Sequence, residues 1–152
     1  MSRQVRYRGV REPREAGPGQ VWVEETETGM PGEGVTVRGL DPRFDLRRHS
    51  PDGFSWSYSG SGPAQLALAL LADALDDDEI ADALHQEFKR EFVCHWHDRW
   101  QVDRLTLRLW AAGRWAQRQR EEAAAAAALD AAGTDGSWRD SPEEEASRYA
   151  ES

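Results

Sequence analysis

The chain has 152 residues, 39% apolar and 31% charged, with a net charge of -9 and a single cysteine, Cys94. This length suits one domain with a real hydrophobic core, the lone cysteine excludes an intrachain disulfide, and no apolar run reaches the roughly eighteen residues of a membrane span. An acidic chain repels nucleic acid at long range unless it carries a local basic stripe.

The charge is unevenly spread. Residues 1–60 balance nine arginines against nine acidic residues, and the deficit begins at Leu71, with clusters at Asp76–Glu79 and Glu143–Glu145. Arg3, Arg6, Arg8, Arg11 and Arg14 form the one candidate basic stripe; the blander reading is a solvated strand face. Met1 to Arg6 lacks the apolar stretch of a signal peptide, so the expectation is a cytoplasmic protein.

In chain order, Val5 and Tyr7 alternate with arginines, which predicts a half-buried strand. A Pro/Gly-rich loop over Arg11–Gly19, strands around Val21–Val23 and Val35–Val37, and a turn over Gly29–Gly34 complete an antiparallel meander, because the connections are too short for crossover helices. Leu40 to Arg48 is ambiguous by pattern; one reading has Asp41-Pro42 open a short helical turn with Phe44 and Leu46 reaching inward. Phe54, Trp56 and Tyr58 alternate with serines and predict a fourth strand with three aromatics on one face.

Helices follow. Ser61 or Gly62 reads as an N-cap with Pro63 at the first helical position. Ala64–Leu75 is apolar nearly all round, which predicts a central buried helix. Asp76 to Glu79 resembles a capping box. Ile80, Leu84, Phe88 and Phe92 form one stripe of a second helix. Trp100 and Val102 suggest a brief extended segment. Asp103 is placed to cap a third helix with Leu105, Leu109, Ala112 and Ala116 on its core face, which the alanines after Glu122 extend. Past Gly133 the composition predicts a mobile acidic tail.

The expected fold is therefore α+β. An antiparallel sheet of three to four strands from the N-terminal half packs against two to three helices over residues 1–120, and 121–152 form an alanine-rich helical extension and acidic tail.

The run His49-Ser50-Pro51, Gly53-Phe54, Trp56, Tyr58 and Gly60-Ser61-Gly62-Pro63-Ala64-Gln65 through Leu71 resembles domain-of-unknown-function family 6166. Phe88-Lys89-Arg90 and Trp100 continue the resemblance, which covers Val5 to Trp115. Ser57 and Ser59 stand where the family pattern leads one to expect glycines. The resemblance implies a small protein carried by phages, plasmids and other mobile elements, and no known reaction.

Three places bear chemistry. The first is the turn Ser59–Gln65: a helix N-terminus presents unpaired N–H groups and partial positive charge to a phosphate or carboxylate. Gly60, Ser61, Gly62 and Gln65 would form the cradle, His49, Trp56 and Tyr58 would add stacking and hydrogen bonds, and Arg47 and Arg48 charge. The competing reading is a tight turn over a packed aromatic core; neither the dinucleotide fingerprint nor the P-loop is present. The second is Cys94-His95-Trp96-His97-Asp98, whose spacing resembles zinc ligands but lacks a second ligand pair; a solvated helix end is the plainer account. The third is nucleophilic catalysis by Ser50 or Ser61 with His49 and Asp52, or by Cys94 with His95, sets whose members, close together on one loop or helix, seldom reach the required geometry.

The sequence thus assigns no catalytic residue, no metal and no cofactor. Its leading reading is a non-enzymatic interaction protein of a mobile element, binding a host or viral protein and inhibiting a defence or replication component. A phosphate- or nucleotide-binding protein using the Gly60-Ser61-Gly62 helix start comes second, and nucleic-acid binding through the N-terminal arginines third. No membrane partner is expected, and oligomeric state is not legible.

Overall fold

Period-two alternation in the N-terminal third becomes three strands. The computed structural model describes residues 2–12, 19–28 and 34–134. In it, β1 (Ser2–Val10), β2 (Gln20–Thr28) and β3 (Val35–Gly39) run antiparallel, with Tyr7 opposite Val23 and Glu24 opposite Val37. Val5, Tyr7 and Val23 are buried on one face. Most of the Arg11–Gly19 loop, most of the Gly29–Gly34 turn and the acidic tail lie outside the described residues.

The fourth strand is not Phe54–Tyr58. It is β4 (Arg99–Asp103), the expected brief extended segment, which pairs antiparallel with β1 from Arg6–Asp103 to Val10–Arg99 and gives the order β3-β2-β1-β4. The backbone of 54–58 is satisfied elsewhere: the Phe54 carbonyl accepts from Gly19 N–H, the Ser57 N–H donates to Val93, and the Trp56 carbonyl accepts from Arg11. Ser57 also takes φ 78°, a left-handed conformation incompatible with a strand. Phe54 and Trp56 face inward, but Tyr58 is exposed. Phe44 likewise turns outward, beneath the Arg48 guanidinium, instead of reaching the core.

α1 (Ser61–Leu75) is buried at every position from Gly62 to Ala72 and again at Ala74. Its N-cap is Gly60, so Pro63 sits deeper in the first turn than its sequence suggests, still where an N–H has no intrahelical partner. Asp76 closes α1 in the left-handed region, and Asp77 caps α2 (Asp78–Glu91) by accepting from Ile80 N–H at 3.0 Å. The cap is one residue later than the Asp76–Glu79 pair, and Ile80 occupies the place a reciprocating Glu would need. Leu84 and Phe88 bury the expected stripe of α2, with His85 beside them and Ile80 and Phe92 half-buried.

After a single 3₁₀ turn (Val93–His95) and β4, α3 (Arg104–Thr134) follows directly. Asp103, offered by the sequence as its cap, instead accepts from Arg6 Nε–H at its Oδ1, 3.0 Å away. The core face of α3 is the opposite of the expected one. Leu107 and Ala111 are buried, whereas Leu105 and Leu109 are each 66% exposed and Ala112 and Ala116 lie outside. Two equally spaced stripes compete here. The stripe containing Trp110 prevails because that ring packs edge-on against Phe88 at 5.1 Å and Phe92 at 6.0 Å, where aromatic pairs gain most.

The chain divides into two units, residues 1–114 and 115–152. In the second, the described helical residues through 132 are exposed except for half-buried Trp115 and Arg118. Among the described residues, no helix is long and apolar enough to cross a membrane.

Candidate functional site

The turn at the start of α1 is filled by its own neighbours. A Cβ on Gly62 would lie 2.7 Å from Ser55 Cβ and 3.1 Å from the Tyr58 hydroxyl, so this glycine admits side chains of the protein itself to the helix start. Gln65 is fully buried. Its Nε2 donates to the carbonyls of Pro42 (2.6 Å) and Arg47 (3.0 Å), and its Oε1 accepts from His49 N–H (2.7 Å) and Ser50 N–H (3.3 Å). Every hydrogen-bonding valence of that amide is used to hold the 42–50 loop against α1. Trp56 is buried, donating Nε1 to the His97 carbonyl at 2.7 Å. Of the residues assigned to this candidate site, Tyr58, Ser61 and Arg48 are exposed and His49 is half-buried.

Sequence reading missed the partner of His49. His49 Nε2 lies 2.9 Å from Nε2 of His85, a residue of α2. His85 Nδ1 faces the Asp82 carbonyl at 2.6 Å, which only accepts, so Nδ1 carries the proton, the neutral His85 Nε2 accepts, and His49 Nε2–H donates. Burial, then the charges of Arg47 and Lys89, pushes His49 below the ordinary histidine range; burial also outweighs the Asp82 carbonyl in lowering His85. The unfolded chain therefore binds protons more readily. Stability should decline as pH falls through the unfolded value near 6.5, and stop declining below the folded values. Urea titrations between about pH 8 and pH 5 should show that loss in the wild type and a shallower slope in His49→Gln; equal slopes would refute the pairing.

The N-terminal arginines are engaged within the fold. Arg3 pairs with Glu25, Arg6 with Asp103, Arg8 with Glu24 and Arg11 with Asp98; Arg14 lies outside the described residues. On the helix side of the sheet, the Tyr7 hydroxyl donates to Asp73 Oδ2 at 2.7 Å, and Arg38 reaches the same carboxylate at 2.9 Å. Burial alone would raise Asp73. The hydrogen bonds from Arg38 and Tyr7, with the charges of Arg38 and Arg104, prevail and hold it below the usual carboxylate range. This network joins sheet, α1 and α3.

In the Cys94–Asp98 segment, the Cys94 thiol donates to the Arg90 carbonyl at 3.1 Å, and His95 and His97 are exposed. Among the described residues, no three His, Cys, Asp or Glu side chains are grouped to hold a metal ion.

A groove of about 490 Å³ opens where β1, β2 and β4 meet, lined by Arg8, Gly9, Val10, Trp22, Arg99, Trp100 and Gln101. It escapes sequence reading because Arg8 and Gln101 become neighbours only through the β1–β4 pairing.

No curated protein and no solved structure matches the chain. A family model matches residues 7–113, most of the described core, and its description is a family of unknown function. With buried Phe54, Trp56 and α1 at the centre of that match, the chain belongs to the DUF6166 family.

Proposed function

We propose that the protein is a non-enzymatic interaction module that docks a partner protein on the outer face of the first turns of α3. One observation carries this reading: Leu105 and Leu109 are each 66% exposed, on successive turns of a helix whose other side is buried there at Leu107 and Ala111. Scattered apolar side chains are ordinary on a surface, but leucines aligned at i and i+4 form a stripe, the pattern by which a helix anchors in a partner's groove. Ala112 is exposed on the following turn and leaves a shallow surface beside them.

The polar groups described above serve the fold, which supports a binding role over a catalytic one. The resemblance noted in the sequence supports a mobile-element accessory protein that acts in the host cytoplasm on a defence or replication component. Pull-down with the full chain from a host lysate tests both layers. The expected result is a stoichiometric protein that Leu105→Glu/Leu109→Glu no longer retains, with the variant's melting temperature within a few degrees of wild type. Retention by the double variant, or no stoichiometric protein at any bait concentration, overturns the reading.

A further inference from the structure

A sheet that ends on a strand leaves one row of backbone N–H and C=O groups unpaired, a template for another chain. β4 is such a strand, last in the order β3-β2-β1-β4. The Arg11 N–H donates to the Asp98 carbonyl at 2.9 Å, which sets the phase of the β1–β4 ladder. Direct exchange of hydrogen bonds then recurs at Gly9–Trp100 and Tyr7–Val102. The N–H and carbonyl groups of Arg99 and Gln101 therefore point the other way, to the open side. Alternation sends the Trp100 and Val102 side chains to the core face and those of Arg99 and Gln101, both exposed, to the outer face.

A pocket of about 100 Å³ adjoins β4, lined by its Gln101 and Val102 and by Phe88, Phe92, Trp96 and Trp110, with no charged side chain in its wall. Phe88 meets Trp96 and Trp110 edge-on at 6.0 and 5.1 Å, and Phe92, Trp96, Val102 and Trp110 are only half-buried, so the apolar wall reaches solvent. At about 100 Å³ the pocket is far below the roughly 300 Å³ at which small-ligand sites begin, and it suits one side chain better than a free metabolite. Arg99 makes no ion pair among the described residues. We propose that an extended segment of a partner protein adds to the open edge of β4, places an apolar side chain in the pocket and sets a carboxylate opposite Arg99. On an added strand, the residue opposite Val102 points to the core face, and the one opposite Arg99, three positions along, lies on the outer face. A second copy adding its own β4 would present Trp100 and Val102 on the core face, where its own fold already holds them, and would leave the pocket empty. The surface shares no residue with the exposed leucines of α3 and stands independently of them.

The test titrates the ¹⁵N-labelled full chain with the capped peptide Glu-Val-Thr-Leu-Thr-Val-Glu, which reads alike in either strand direction, and with the same peptide carrying aspartate at its centre. The leucine peptide should shift the Trp96 and Trp110 indole signals saturably, with a Kd below about 1 mM, and the aspartate peptide should bind about tenfold more weakly or worse. Bound peptide should also slow amide hydrogen exchange at Gln101 toward that of Trp100, which β1 already protects. Gln101→Pro removes the outward N–H and leaves the β1 ladder its donors, so it should weaken binding about tenfold. Arg99→Glu, a change at an exposed side chain, should weaken it about threefold or more, and less so in high salt. The proposal is overturned if no shift appears at about 2 mM peptide, or if the indole signals move while Gln101 exchange does not. It is equally overturned if both variants bind as the wild type does, or if Gln101 is already protected in a dimer without peptide.

Discussion

Trp56→Ala should cost about 3–5 kcal/mol of folding stability, the range for removing a large buried ring from a core. The indole has no exposure; it meets Trp100 edge-on at 5.7 Å, lies beneath the Arg11 guanidinium at 5.2 Å, and presses on Gly19, where a Cβ would stand 2.0 Å from the ring. Truncation leaves a void and also strips the His97 carbonyl of its donor. Trp56→Phe separates these effects, since it keeps most of the ring and should lose about 1–2 kcal/mol. Urea denaturation followed by circular dichroism measures both, and the alanine variant should melt roughly 10 °C or more below wild type. A cost near zero for Trp56→Ala would mean that this ring is not a core anchor.

The same residue shows what a sequence conveys and what it withholds. Alternation identified Phe54 and Trp56 as inward-facing, because side-chain spacing is local information. It also suggested a strand, and that failed at Ser57. The Ser57 left-handed φ is held by long-range bonds: its hydroxyl donates to the Trp96 carbonyl, and Arg11 donates to the Ser57 Oγ at 3.0 Å. The resemblance had marked position 57 as one where glycine is expected, which matches a backbone conformation glycine adopts without strain. The three-strand meander and the all-round burial of α1 were legible because hydrophobic periodicity dictates them. The choice of face on α3 was not, since stripes through Leu105 and Leu107 have the same spacing and only the position of Phe88 decides between them. The candidate turn was located correctly as the helix start, but whether its glycines receive a ligand or Tyr58 and Ser55 depends on how the 55–58 segment folds back. His85 and the β1–β4 groove were invisible for a simpler reason: pairing across dozens of residues leaves no local trace.

Gln65→Leu should be nearly as damaging as the loss of Trp56, by a different mechanism. The leucine fills the volume but orphans two backbone N–H groups, of His49 and Ser50, and two carbonyls, of Pro42 and Arg47. With a desolvation penalty of about 1–3 kcal/mol per buried orphan, and partial rescue by water on the loop side, the expected cost is about 3–5 kcal/mol. Gln65→Glu is the discriminating partner. Its carboxylate can still accept from His49 and Ser50, so those amides should retain slow hydrogen exchange, whereas in Gln65→Leu they should exchange quickly. Two carbonyl oxygens then face a negative charge, which raises the folded-state pKa of the new acid above its unfolded value. A raised acid binds its proton more tightly when folded, so the deficit of Gln65→Glu relative to wild type should narrow as pH falls from about 7 to 5. Fast exchange at His49 and Ser50 in both variants, with a deficit independent of pH, would show that the amide does not tether the 42–50 loop to α1.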